Sequence, residues 1–257
     1  MKIFDTHAHL DQLGDLQGAM KRAAQEGVEG IVALSMDLQS CRRNLEIREQ
    51  YAQPKIYIGL GMHPSETRPA DAQLIIELIK KHSSGIHAVR EIGLDFWYKW
   101  VSKDNEKKDE QCAVYRKFLE CARDIDKPAV IHSRGAWRES FEIAAELGVK
   151  KAEFHWYSGP VDVLREILDA GYYVSTSPSV AYSPQSREAM SFAPIERTLI
   201  ETDCPVYYRN KETGEGFQAE PKDVFKTLDA YCALKGVQRE PALEILNRNA
   251  REFFNLN

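Results

Sequence analysis

Short apolar, β-branched runs alternate with longer amphipathic stretches from one end of this chain to the other. That alternation limits the possible folds more than any other feature. The runs read as strands over residues 3–7, 28–34, 55–61, 86–93, 128–132, 151–155, 172–176 and 197–203. Helical patterns stand between them over 13–25, 70–82, 106–124, 139–147 and 161–170, and two more follow over 219–235 and 241–254. Gly27, Gly85, Gly148 and Gly171 stand at or near helix ends, where a left-handed cap would turn the chain into the next strand. Strict alternation predicts a parallel sheet with helical crossovers, and eight such units predict closure into an α/β (β/α)8 TIM barrel. An open doubly wound sheet would carry a glycine-rich phosphate turn after its first strand; here His7-Ala8-His9 occupies that place. No Ser/Gly-rich linker divides the 257 residues, so residues 1–257 are expected to form a single domain. The segments 205–217 and 96–105 are the least regular, the second being rich in aromatic residues and lysine.

Thirty-four basic against 39 acidic residues give a net charge of −5, which excludes general coating of duplex DNA by charge alone. The five cysteines are widely spaced and form no C-x-x-C pair, so a disulfide framework is not expected and a reducing cytoplasm is the natural compartment. No run is long enough to span a bilayer, and residues 1–9 lack a signal-peptide core. The expectation is a soluble monomer.

The chemistry-bearing residues gather at the C-terminal ends of the expected strands, the face on which barrel enzymes place their sites. His7 and His9 end the first strand, Glu91 stands near the end of the fourth, and His132, His155 and Asp203 end the fifth, sixth and eighth. Residues two apart on a strand point the same way, so His7 and His9 suit one metal ion. Seven histidines would give roughly 0.2 H-x-H pairs by chance. The pair alone therefore decides little, and its coincidence with four further ligand-type residues decides more. Imidazoles with carboxylates suit Zn, Mn, Ni or Fe, with Mg favoured as oxygen ligands dominate. Six donors exceed the need of one tetrahedral ion and match two divalent metal ions bridged by a carboxylate.

Six motifs occur in order. They are Asp5-Thr6-His7-Ala8-His9-Leu10, Gly61-Met62-His63-Pro64 and Glu91-Ile92-Gly93-Leu94-Asp95, followed by Lys127-Pro128-x-x-Ile131-His132-Ser133-Arg134, His155-x-x-Ser158-Gly159 and Glu201-Thr202-Asp203-x-Pro205. Together they resemble the TatD family of metal-dependent deoxyribonucleases, within the amidohydrolase-like superfamily, from residue 3 to about 254. The resemblance implies that His7, His9, Glu91 and Asp203 hold one ion, and that Glu91, His132 and His155 hold the other. It gives Glu91 the bridging role and Asp203 the place of general base beside the attacking water. It sets His63 and Arg134 at the substrate phosphate. The implied reaction is phosphodiester hydrolysis by metal-activated water, taking nucleotides from a nucleic acid 3′ end.

The residues themselves leave other readings open. His63 could be a plain turn histidine and Arg134 a surface ion-pair partner. Glu201 shares strand parity with Asp203, which suits either a bond to a ligand histidine or a structural ion pair; Glu153 offers the same choice beside His155. His82, His87 and Cys204 read as structural. Trp97, Trp100, Trp137 and Trp156 either stack on bases, or line the barrel mouth or pack under loops. The sequence departs from the resemblance at Arg90, where glycine is usual and where parity counted from Glu91 sends the side chain outward. It departs again at Gly135, where aspartate is common, at Trp156-Tyr157, at Ser177-Pro178-Ser179 and over 205–220. These changes bear on the substrate. An ester hydrolase such as a D-aminoacyl-tRNA deacylase, acting on aminoacyl-tRNA, and a non-catalytic metal- or partner-binding barrel are the competing functions.

Overall fold

A computed structural model describes residues 2–211 and 213–256. Eight strands, β1 (Ile3–Ala8), β2 (Val28–Ala33), β3 (Lys55–Leu60), β4 (Ala88–Gly93), β5 (Ala129–His132), β6 (Ala152–Phe154), β7 (Tyr173–Thr176) and β8 (Thr198–Ile200), lie side by side in chain order. Each adjacent pair is parallel, as right-handed helical crossovers require. The helices are α1 (Leu16–Glu26), α2 (Leu38–Gln50), α3 (Pro69–Lys81), α4 (Asn105–Asp124), α5 (Trp137–Glu146), α6 (Val161–Asp169), α7 (Pro184–Phe192), α8 (Val224–Lys235) and α9 (Arg239–Phe254). This is the (β/α)8 barrel, with every expected strand in place; β1 runs one residue further than expected and the others are shorter by one to three residues at one or both ends.

Two helices have no counterpart among the expected patterns. The buried face of α2 is Ser40, Cys41, Asn44 and Ile47, so little apolar period marks it. Its start is fixed instead by Asp37, whose carboxylate accepts from the Ser40 amide at 2.8 Å. The short α7 likewise buries only Ser186, Ala189 and Met190. The segment over 205–217 is more regular than expected, since β9 (Tyr207–Arg209) and β10 (Gly216–Gln218) pair as an antiparallel hairpin. Residue 212 of that segment lies outside the described residues. All five cysteine thiols are free, in line with the absence of a disulfide framework.

The barrel closes through the chain just past β8. The Asp203 amide donates to the His7 carbonyl at 2.9 Å, and the His9 amide donates to the Cys204 carbonyl at 2.8 Å. Thr6 Oγ1 adds a bond to the Ile200 carbonyl at 2.9 Å. Closure thus sets Asp203 beside the first strand's histidines.

The interior is layered. At the bottom, Phe4, Val32, Tyr57, Ala88, Val130 and Leu199 meet Phe253 and Phe254 from the end of α9. Arg90 lies above them, fully buried, donating through Nη1 to the Thr6 carbonyl at 2.7 Å, with its guanidinium 5.4 Å from the Phe254 ring centre. This corrects the outward placement drawn from parity. Arg90 follows Ala88 inward by ordinary alternation, and the pairing of β4 with β5 slips between Val89 and Ile92, so counting back from Glu91 crosses the slip. Gly59 leaves the space that the Arg90 stem fills; a Cβ there would come within 2.1 Å of Arg90 Cγ.

Candidate metal centre

The two strands that carry His7 and Glu91 both lose regular register there, β1 between Asp5 and Ala8 and β4 between Val89 and Ile92. The irregularities let His7 and Glu91 face the barrel mouth. His9 and His155 lie one residue beyond their strands, and Asp203 lies in the closing segment with a left-handed backbone, φ 48°.

The six sequence-selected ligands converge. His7 Nε2 is 3.5 Å from Glu91 Oε2 and 3.4 Å from Asp203 Oδ1; His9 Nε2 is 3.2 Å from the same Asp203 oxygen and 3.9 Å from Glu91 Oε2. Donors held about 2.0–2.2 Å from a tetrahedral ion stand about 3.3–3.6 Å apart, so these four nearly match such a shell. On the other carboxylate oxygen, Glu91 Oε1 lies 3.0 Å from His132 Nδ1 and 2.6 Å from His155 Nε2, and those two nitrogens are 3.2 Å apart. One oxygen of Glu91 therefore faces each cluster, the arrangement a bridging carboxylate needs. His7 Nε2 and Asp203 Oδ1 are buried without a hydrogen-bond partner among the described residues. Buried acceptors aimed at one another fit a cation between them.

Each ligand imidazole has a polar group behind it. Glu201, buried beneath the centre, places Oε2 3.8 Å from His7 Nδ1 and Oε1 3.5 Å from His155 Nδ1, and accepts from Ser175 Oγ at 2.7 Å. Of the two readings for Glu201, this favours support of the ligand histidines. The Gln12 amide approaches His9 Nδ1 at 3.4 Å. Asp95 holds His132 Nε2 at 2.9 Å and Arg134 Nε at 2.8 Å on one oxygen. Sequence reasoning gave Asp95 no role. Its place four residues after Glu91, within the third motif, was the available signal.

Burial works against the charge on Glu91, yet His155, His63 and His132 outweigh it and hold the carboxyl well below its ordinary range. Burial likewise opposes protonation of His155, and Glu91 with Glu201 prevails, raising it well above the usual imidazole value. Deeper down, burial and the neighbouring Glu201 charge push Glu153 up to about 8, so at neutral pH it is largely protonated.

His63 is buried 3.8 Å from Glu91 Oε1 through Nε2. Its Nδ1 accepts from the Ser65 amide at 3.1 Å, which leaves the proton on Nε2, facing the centre. Burial lowers its pKa to about 3, so the ring is a neutral N–H donor. Arg134 stands at the rim, 45% exposed, its guanidinium 5.0 Å from the Tyr98 ring centre. Above the centre opens a cleft of about 740 Å³ that includes His9, His63, Arg134, Trp97, Trp137 and Asp203 in its lining. His82 caps the end of α3 and His87 precedes β4 at the opposite face, so neither joins the site.

The family model described as TatD related DNase matches residues 4–255. The chain belongs to that family. It is a TatD-family metal-dependent hydrolase. An uncharacterized metal-dependent hydrolase of Methanocaldococcus jannaschii is 31% identical to it over 261 residues, covering 99% of this chain and 97% of that one. The human deoxyribonuclease TATDN3 is 26% identical over 264 residues, covering 98% and 94%. The solved structure of YjjV, a TatD homologue from Escherichia coli K12, superposes with a TM-score of 0.88 at 23% identity, over 99% of this chain and 98% of that one. No helix among the described residues is long and apolar enough to cross a membrane.

Proposed function

We propose that this TatD-family protein removes nucleotides from the 3′ end of single-stranded DNA by hydrolysing the terminal phosphodiester. The observation that carries this reading is the shared carboxylate, with one Glu91 oxygen turned to the His7–His9–Asp203 donors and the other to His132 and His155. The name of the human relative, a deoxyribonuclease, supports the substrate class. The cleft of about 740 Å³ falls within the range of small-ligand sites and suits a strand end rather than an intact duplex.

His7, His9, Glu91 and Asp203 would hold one divalent ion, and Glu91, His132 and His155 the second. When bound, two such ions acidify water and offset phosphoryl charge. Asp203 lines the cleft and turns Oδ1 to His7 and His9, which leaves Oδ2 to accept the proton of the attacking water. His63 donates its Nε2–H to a non-bridging phosphoryl oxygen. Arg134, braced by Asp95 through Nε, directs its remaining N–H groups to the phosphate as a clamp. Glu201 and Asp95 keep the ligand rings in register.

The test is release of labelled mononucleotide from a 3′-labelled single strand with Mg²⁺ or Mn²⁺, comparing wild type with Asp203→Asn. Release should stop with a chelator, return with excess metal, and fall about 10²–10⁴-fold in the variant, the usual contribution of a positioned base. Equal release by both proteins would refute the assignment of Asp203. A wild type that frees amino acid from aminoacyl-tRNA, and no mononucleotide from DNA, would replace the nuclease reading with the deacylase.

A further inference from the structure

The wall of the cleft beside β4 is aromatic in a way that packing does not explain. Trp97 is 62% exposed although it lines the cleft, whereas a tryptophan serving the core would hide most of its surface. It is nevertheless held in place. Its indole lies against Gly135, where an added Cβ would come within 2.2 Å of the ring, and meets Trp137 edge-on at 5.4 Å and 89°. Trp137 in turn lies on Gly159, whose Cβ would come within 2.6 Å of that ring. Gly135 also has a backbone φ of +72°, so both its space and its conformation call for glycine. This explains the departure from aspartate at that position.

The wall is coupled to the metal centre. The Trp97 amide donates to Asp95 Oδ1 at 3.0 Å, while Asp95 Oδ2 holds His132 and Arg134. Tyr98 carries the Arg134 guanidinium on its ring and stacks on Trp100 at 15°. Lys99, between Tyr98 and Trp100, and Lys103 are exposed on the same segment and would meet phosphates. Exposed, immobilised π-faces beside cations, next to a phosphate-directed arginine, match an unpaired nucleobase on its sugar–phosphate chain.

We infer that Trp97, propped by Gly135 and Trp137, is a stacking platform for the unpaired bases at the 3′ end of a single strand. It fixes the register of the strand so that the terminal phosphodiester falls at Glu91 and Asp203. The inference rests on the nucleic-acid reading of the cleft. It goes beyond that reading by assigning recognition to a base face rather than to phosphate alone. Binding strength then depends on a base being present near the end and little on which base it is.

Two ten-nucleotide strands separate the possibilities, one ordinary and one with abasic residues at the two 3′-terminal positions. Affinity is read by fluorescence anisotropy on versions with phosphorothioate terminal linkages, and KM and kcat on the ordinary linkages. Trp97→Ala should weaken binding of the ordinary strand about 5- to 150-fold, mainly through Kd and KM, and leave the abasic strand within about twofold. Trp97→Phe, which keeps an aromatic face, should retain most of the affinity, and thermal melting should show both variants folded. Equal weakening of both strands, or none of either, would overturn the platform. A wild type that binds the ordinary strand through Trp97 and releases no mononucleotide would overturn the nuclease reading alone. Cleavage indifferent to Trp97 would overturn the platform alone.

Discussion

The floor and the mouth of this barrel draw on the same ring of strands and have opposite chemistry. At the floor, Phe4, Val32, Tyr57, Ala88, Val130 and Leu199 close on Phe253 and Phe254 in a largely apolar cluster. At the mouth, Glu91, Asp203 and four imidazoles crowd their ligand atoms together, and His7 Nε2 and Asp203 Oδ1 lack partners among the described residues. Between the two lies a polar storey, with Arg90, Glu153 and Glu201 all buried. The floor stabilises the fold without help, whereas the mouth is complete only with cations. Stability and function are thus separated along one axis, as barrel architecture allows.

That separation is open to direct attack. The largest effect is expected at the floor. Phe254→Ala should cost about 3–5 kcal/mol in urea unfolding, the range for deleting a buried phenyl ring, with metal content per folded molecule unchanged. Loss of metal in proportion to stability would show that floor and mouth are not separable. A smaller effect should follow at the polar storey. Glu201→Gln removes the charge behind His7 and His155 and should weaken metal affinity about 10–100-fold, read by competition with a chromophoric chelator. Unchanged affinity would make Glu201 a structural ion-pair partner instead.

The smallest effect belongs to His87, just before β4 at the floor end. Burial, then Lys127, Lys55 and Arg48, lower its pKa to about 4. The unfolded chain takes up a proton near pH 6.5 and the folded chain does not, so stability is lost as pH falls from 6.5 through 4. His87→Gln should flatten that part of the stability curve, measured as urea midpoints at pH 7 and 5. Identical slopes in the two proteins would show that His87 does not couple to folding.

The fold was legible because β-branched runs mark strands irrespective of what surrounds them, and all eight appear where those runs lie. Helix α2 was harder to read because its inward face is mostly small and polar. The ligands were legible because strand ends share one face of a barrel. Arg90 was not, because a one-place slip in strand pairing reverses side-chain direction and no residue type announces it. Asp95 escaped for another reason: its bond to His132 spans 37 residues, and its place in the motif that begins at Glu91 does not name that partner. Trp97 could be read either way until its exposure and its seat on Gly135 were known.

The seam that closes the barrel also sets a schedule. His7 and Asp203, joined there by backbone and by their shared donor cluster, are separated by 196 positions of the chain (203 − 7). At ribosomal speeds of about 5–20 residues per second, His7 emerges roughly 10–40 s before its partner exists. The first-strand histidines therefore wait for Asp203, and the complete pair of ion sites can form only once residue 203 has been made. A chain cut short before residue 203 lacks the Asp203 ligand and the backbone bond that closes the barrel on His7.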